Sequence, residues 1–262
     1  MNRVNIEWLT PQWPAPAAVG ALSTLRGGGV SLPPYASLNL GAHVGDEPAA
    51  VLDNRRRLRV AAELPAEPTW LSQVHGARVL DLDVGGALGG GAMGGALHGG
   101  GVLGPADAAV TRRPGRICAI LAADCLPVLF AADSGEAVGA AHAGWRGLAG
   151  GVIEATVQAL GVPASTLLAW LGPAIGPRHF EIGLEVRDEL LKGDAGAAAA
   201  FTVNARGRFM ADLGALARRR LARLGIERTY GGGECTYSQS AKYFSHRRDG
   251  RTGRQASLIW LK

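Results

Sequence analysis

Residues 116–147 read RICAILAADCLPVLFAADSGEAVGAAHAGWRG. Three apolar runs of strand length, RICAILAAD, LPVLFAAD and EAVGAAHAG, are bounded by Asp, Ser and Gly, a pattern that predicts buried strands. If the second and third form a hairpin through Asp133, Ser134 and Gly135, paired residues have indices summing to about 268. His142 then lies opposite residue 126, with Cys125 next door. Cross-strand and diagonal neighbours bring Cβ atoms within about 5–8 Å, close enough for a thiolate and an imidazole to meet at one ion. Pro127 is where a bulge would shift that register by one.

Upstream, AAVGALSTL (17–25) reads as a strand ending in the Gly27–Gly29 cluster. DEPAAVLDNRRRLRVAAEL predicts a helix at about 47–63 with Asp46 as N-cap and Pro48 in the first turn. TWLSQVHG and ARVLDLD read as a strand pair joined through His75 and Gly76. The stretch Gly85–Gly104 has neither periodicity nor charge and is expected to be a mobile loop, where His98 is a solvated residue. Downstream, a helix at about 147–160 ends at Gly161, and LLAWLG is a further strand. DLGALARRRLARLG has Asp212 as N-cap, Leu213, Leu216, Leu221 and Leu224 as an inward stripe, and Gly225 as the stop. Its arginines, Arg218, Arg219, Arg220 and Arg223, form a solvated face. ASLIWL closes the chain as a strand. Clustered strands with a few helices predict an α+β fold, a single domain over 1–262 of mixed β-sheets covered by helices.

The 262 residues include 39 glycines, 47% apolar and 19% charged residues, which excludes an intrinsically disordered chain. The 27 Lys and Arg against 22 Asp and Glu give +5, dispersed from Arg3 to Arg254 and not gathered on one face, so no nucleic-acid partner is expected. Three cysteines, Cys118, Cys125 and Cys235, are too few and too irregular for a disulfide framework and fit a reducing compartment. No signal-peptide layout and no membrane-length apolar run is present, so a cytoplasmic protein without a membrane partner is expected, a monomer or weak homodimer.

Cys125 and His142 alone read as a nucleophile and its base. His75 in LSQVHGAR, at the end of a predicted strand, adds a third group. Two histidines and one thiolate without a fourth protein ligand match a catalytic zinc site with an open position. A packed core cysteine and hydrogen-bonded histidines fit the same spacing, and chemistry alone does not choose between them.

The motifs QVHG (73–76), ADCLPV (123–128), AAHAGWRG (140–147), LGPAIGP (171–177) followed by FEIG, CTYS (235–238), YFSHRRDG (243–250), TGR (252–254) and SLIWL (257–261) are joined by GGVS, PY, SLNL and HVGD near the amino end. Together they resemble the YfiH or laccase-domain (DUF152) family, also described as peptidoglycan editing factors, collinearly over nearly the whole chain. The glycine-rich tract looks like an insertion. Arg178 and His179 stand where many members carry two cysteines, His246 where tyrosine is frequent and Gln255 where methionine is frequent.

The resemblance implies a layered α/β/β/α fold grouped with a toxin cysteine hydrolase, and one zinc ion on His75, Cys125 and His142. It also implies a purine nucleoside phosphorylase that takes adenosine, inosine, guanosine and methylthioadenosine with phosphate, and an adenosine deaminase activity in the same site. Zinc would lower the pKa of a bound water for attack on C6 of adenine, and Asp124 is a candidate to move the proton or to serve a structural role. Arg26 and Arg146 are candidates for phosphate, and Gln73 for the purine or for a neighbour. Arg247, Arg248 and Asp249 form an internal ion-pair loop or touch substrate. The alternatives are a metal-independent Cys125–His142 hydrolase acting in peptidoglycan precursor editing and a mononuclear copper polyphenol oxidase. A multicopper centre needs more histidines than the six here, and copper fits less well than zinc.

Overall fold

In the computed structural model, residues 6–84 and 102–262 are described. The chain order begins with β1 (Trp8–Leu9), β2 (Val19–Thr24), α1 (Pro48–Ala61), β3 (Trp70–Ser72), β4 (Val79–Asp81), β5 (Val102–Pro105) and β6 (Ala108–Thr111). The quoted central stretch supplies β7 (Ile117–Ala122), β8 (Leu126–Ala132), β9 (Val138–Ala143) and α2 (Trp145–Ala149). Then come α3 (Val152–Leu160), β10 (Leu167–Leu171), β11 (Glu181–Ile182), α4 (Leu184–Leu191), β12 (Phe201–Val203) and β13 (Phe209–Ala211). The chain closes with α5 (Leu213–Arg223), β14 (Thr229–Gly231), α6 (His246–Asp249) and β15 (Gln255–Leu261).

Two sheets carry the architecture, a four-stranded one ordered β1-β2-β15-β7 and a six-stranded one ordered β14-β10-β8-β9-β6-β4. Strand alternation sorts their side chains into three packed layers. Ile117, Ala119 and Leu121 of β7 pack with Leu58 of α1, whereas Cys118 and Ile120 pack with Leu129, Val138 and Ala140 of the other sheet. Val128, Phe130 and Ala141 face Ile153, Leu160, Leu216 and Leu221 of α3 and α5. The layering is therefore α/β/β/α, and burial on both faces explains why the central runs are apolar throughout. Among the described residues, no helix is long and apolar enough to cross a membrane.

Several expectations are corrected. The β8–β9 hairpin pairs Pro127 with His142 and Leu126 with Ala143, so its indices sum to 269; the loop includes Glu136, and Ala132 N bonds Ala137 O. β3 and β4 do not pair: β3 runs parallel to β5, and β4 runs parallel to β6. The residues His75 and Gly76 turn the chain from one sheet system to the other. The helix expected at 147–160 is two helices, α2 and α3, broken at Gly151, whose φ of 83° no continuing helix adopts. Glu47, not Asp46, is the N-cap of α1; Asp46 accepts from Glu47 N, Ser31 Oγ and Asn39 Nδ2. The glycine-rich tract was expected to run to Gly104, but Val102–Pro105 form β5; the remainder of that expectation, with His98, lies outside the described residues. On α5, Asp212 caps Ala215 N, while Arg219 and Arg223 pair with Asp194 and Arg220 with Glu154.

Candidate metal and nucleophile centre

The site gathers where three strands end. β7 runs into Asp124 and Cys125, which cross to β8 in the other sheet; β9 ends at Ala143, just past His142; and β3 leads to His75. Gln73 fastens the His75 turn to the end of β7. Its Nε2 donates to Leu121 O and its Oε1 accepts from Leu121 N, both at 2.8 Å, as a strand partner would. Both amide ends are used this way, so Gln73 makes the bond to a neighbour that was one of its two expected roles. His75 itself adopts φ 62°, in the left-handed region, and its ring is exposed.

The ligand atoms of His75, Cys125 and His142 lie within 4.8 Å of one another. The two imidazole rings meet edge to face with centroids 4.9 Å apart. Gly144 stands directly over the sulfur, and a Cβ there would come within 2.8 Å of Cys125 Sγ. Sulfur with two imidazoles is a donor set that zinc accepts, with bonds of about 2.0–2.3 Å. Among the described residues, no other group of three or more His, Cys, Asp or Glu side chains converges in this way.

Sequence reasoning missed Asp107. Its carboxylate is fully buried and accepts from His142 Nδ1 at 2.9 Å and from the amides of Val74, His75 and Gly76 at 3.2, 2.9 and 2.7 Å. Burial alone would raise its pKa, but the bonds from His142 and Gly76 outweigh that and hold it below the ordinary carboxylate value. One carboxylate thus fixes both histidines. It commits His142 Nδ1 as a donor, which leaves Nε2 for Cys125 or an ion. The signal lay in the pairing of β6 with β9: Ala108 pairs with Ala141, so Asp107 falls opposite His142, and His142 N donates to Asp107 O at 2.7 Å.

Burial also pushes the Cys125 thiol up. The charge and hydrogen bond of His142, with the hydrogen bond of His75, more than reverse that and hold it at about 6. Conversely, burial would lower His142, but the Cys125 charge and the Asp107 carboxylate raise it to about 9. The pair is therefore poised as thiolate and imidazolium when no metal is bound.

The remaining candidates are placed as follows. Asp124, at φ 102°, accepts from Thr236 Oγ1 at 2.6 Å and from Arg247 N at 2.7 Å, so both carboxylate oxygens hold the carboxy-terminal loops. The Arg26 guanidinium donates to Ala36 O and Ser240 O and lies over Phe244, committed to its own loops and not turned to a ligand. Arg146, in the first turn of α2, is exposed and sits over Trp145. Arg248 pairs with Asp249 and donates to Thr236 O, Tyr237 O and Tyr243 O, a structural clamp.

Comparison with known proteins follows the same geometry. A family model described as "Multi-copper polyphenol oxidoreductase laccase" matches residues 20–262. A protein of Pseudomonas aeruginosa named purine nucleoside phosphorylase is 54% identical over 256 residues, covering 97% of this chain and 98% of the relative. One of Escherichia coli K12, named purine nucleoside phosphorylase YfiH, is 51% identical over 253 residues, covering 97% and 98%. Among solved structures, a Neisseria meningitidis DUF152 protein superposes with TM-score 0.88 at 47% identity, covering 97% of this chain and 99% of that one. YlmD of Geobacillus stearothermophilus gives TM-score 0.84 at 31% identity, covering 97% and 96%. The chain belongs to the laccase-domain YfiH (DUF152) family.

Proposed function

We propose that this protein is a zinc-dependent purine nucleoside phosphorylase that splits adenosine, inosine, guanosine and methylthioadenosine, with adenosine deaminase activity in the same site. The observation that carries the reading is the convergence of His75, Cys125 and His142 with Asp107 behind them. Relatives that cover almost the whole chain and carry the phosphorylase name support it.

His75, Cys125 and His142 would hold the ion, which when bound supplies a Lewis acid and, for deamination, activates water. Asp107 keeps His142 in one tautomer and one orientation. In phosphorolysis a phosphate oxygen forms a bond to C1′ of the ribose while the C1′–N9 bond breaks. The electron pair goes to the purine, which takes up a proton. The chain's task is to hold phosphate and ribose in line and to keep water from C1′. Arg146, exposed in the first turn of α2, is the candidate to meet an anionic or polar group of the substrate.

A second reading has its own observation. Cys125, His142 and Asp107 form a nucleophile, a base and an orienting carboxylate, the arrangement a metal-free cysteine hydrolase uses, including one acting on cell-wall precursors. One experiment separates the two. Metal-analysed protein is incubated with inosine and adenosine, with and without phosphate, and ribose-1-phosphate, free base and ammonia are resolved. Phosphate-dependent ribose-1-phosphate that disappears on chelation supports the phosphorylase. Activity that survives chelation but not alkylation of Cys125 supports the hydrolase. A stoichiometric copper content with phenol oxidation would replace both.

A further inference from the structure

We propose that Arg254 and His43 form an oxyanion subsite beside the His75–Cys125–His142 cluster and that this subsite takes the phosphate co-substrate. The inference deepens the phosphorylase reading and rests on it.

The register of the four-stranded sheet places the arginine. β15 pairs with β7 from Trp260↔Ile117 to Gln255↔Ala122, so Arg254 falls one step beyond the ladder, beside Ala123, where β7 leads into Asp124 and Cys125. Its backbone is clamped: its N–H donates to Asn39 Oδ1 at 2.9 Å, and its carbonyl accepts from Leu40 N at 3.1 Å. Gly41 closes over its stem, where a Cβ would meet Arg254 Cγ at 2.8 Å. On the guanidinium, Nη1 donates to Thr252 O and Gly253 O. Nε and Nη2 have no protein acceptor among the described residues, and neither of these two atoms is sealed from solvent. A guanidinium pinned on one side and open along the other edge is a fork for an oxyanion.

His43 follows on the same segment, two residues past Gly41. It has no hydrogen bond or carboxylate partner among the described residues. The carboxylate nearest in sequence, Asp46, is already taken by Ser31 Oγ, Asn39 Nδ2 and Glu47 N. Partial desolvation of the ring of this surface residue, then the charges of Arg254, Arg55, His75 and His142, push the His43 pKa down; burial lowers Arg254, and the charges of Cys125, Asp124 and Tyr35 oppose that. These influences put both side chains within electrostatic reach of the cluster. The open edge of Arg254, with His43 on the neighbouring segment, offers donors that an anion such as phosphate would meet. Arg26, by contrast, uses Nε, Nη1 and Nη2 to donate to Ala36 O and Ser240 O.

The test is a 31P NMR titration of inorganic phosphate into the zinc-loaded full-length protein, run alongside phosphate and nucleoside KM values. Wild type should bind phosphate. Arg254→Gln should weaken that binding and raise the phosphate KM by about ten- to a hundredfold, the weight of a charge-assisted pair, with nucleoside KM within about twofold. Arg254→Lys should recover part of the loss, and His43→Gln should cost several-fold. Arg59→Gln, which removes one exposed charge on α1, should change neither. Because His43 is exposed, its variant keeps the test valid if Arg254→Gln does not fold. Unaltered phosphate binding in Arg254→Gln and His43→Gln overturns the subsite, as does its loss in Arg146→Ala alone, or wild type that binds no phosphate. Phosphate held at Arg254 without formation of ribose-1-phosphate supports the subsite and rejects phosphorolysis.

Discussion

Asp107 Oδ1 lies 2.9 Å from His142 Nδ1, and the same carboxylate receives the amides of Val74, His75 and Gly76. One buried side chain therefore sets the direction of one imidazole and the backbone turn that carries the other. Asp107→Asn should keep part of the amide bonding but lose the charge that orients His142. Zinc affinity, measured by competition with a chromophoric chelator, is expected to fall about 10–100-fold, with activity falling alongside it. Asp107→Ala should in addition lower thermal stability, since three amides of the His75 turn lose their acceptor. Unchanged zinc affinity in Asp107→Asn would remove Asp107 from the site.

The Cys125 thiol, held at about 6 by His142 and His75, gives a pH signature in metal-free protein. A thiolate exists above its pKa, so a lowered value means reactivity persists to more acidic pH. Alkylation of Cys125 by iodoacetamide, followed by peptide mass spectrometry, should show a midpoint near pH 6 and not near the ordinary thiol value of about 8.5. His142→Ala should move the midpoint upward. Cys118 is fully buried, and desolvation pushes its thiol up, so it should label only on unfolding. Zinc should protect Cys125 from the reagent.

Asn54 is the tie between α1 and the loop that carries Asn39 and His43. Its Oδ1 accepts from Val30 N at 2.8 Å, and its Nδ2 donates to Ser31 Oγ, Ser37 O and Asn39 O at 2.9–3.1 Å, with no exposure. Asn54→Ala strands buried groups on a segment without other regular structure. A loss of about 3 kcal/mol in denaturant unfolding is expected. Phosphate KM should rise with the loosening of the Asn39–Arg254 clamp. A loss below about 1 kcal/mol would show that the loop is held by other contacts.

The apolar runs around Cys125 revealed the central strands because burial on both faces leaves no polar position to blur them. The Asp212 cap and Gly225 stop revealed α5 because those signals are local. What the sequence did not disclose depends on pairing between distant segments. Asp107 becomes part of the site only through the β6–β9 register, and Arg254 only through the β15–β7 register. Gln73 and Arg26 carry the right chemistry for ligand contacts, but the folded chain turns their polar atoms to Leu121, Ala36 and Ser240. The hairpin index was off by one because loop length, set by Glu136, cannot be read from composition.

Gly144 tests the centre by shape alone. It lies at φ −65° and ψ 169°, a conformation that alanine adopts without strain, so Gly144→Ala should fold. The added methyl would sit 2.8 Å from Cys125 Sγ and 3.8 Å from His75 Cδ2, closer to the sulfur than van der Waals contact permits. The thiolate must move away from the two imidazoles, and a three-point site loses its geometry when one ligand leaves by even part of an ångström. Zinc stoichiometry by elemental analysis should drop well below one per chain, while the thermal midpoint changes by only a few degrees. Gly233→Ala, where a Cβ meets nothing within 4 Å, is the matched control and should retain its metal. Full zinc content in Gly144→Ala would mean that the sulfur is not a ligand, and would favour the Cys125–His142–Asp107 hydrolase over the metal-dependent phosphorylase.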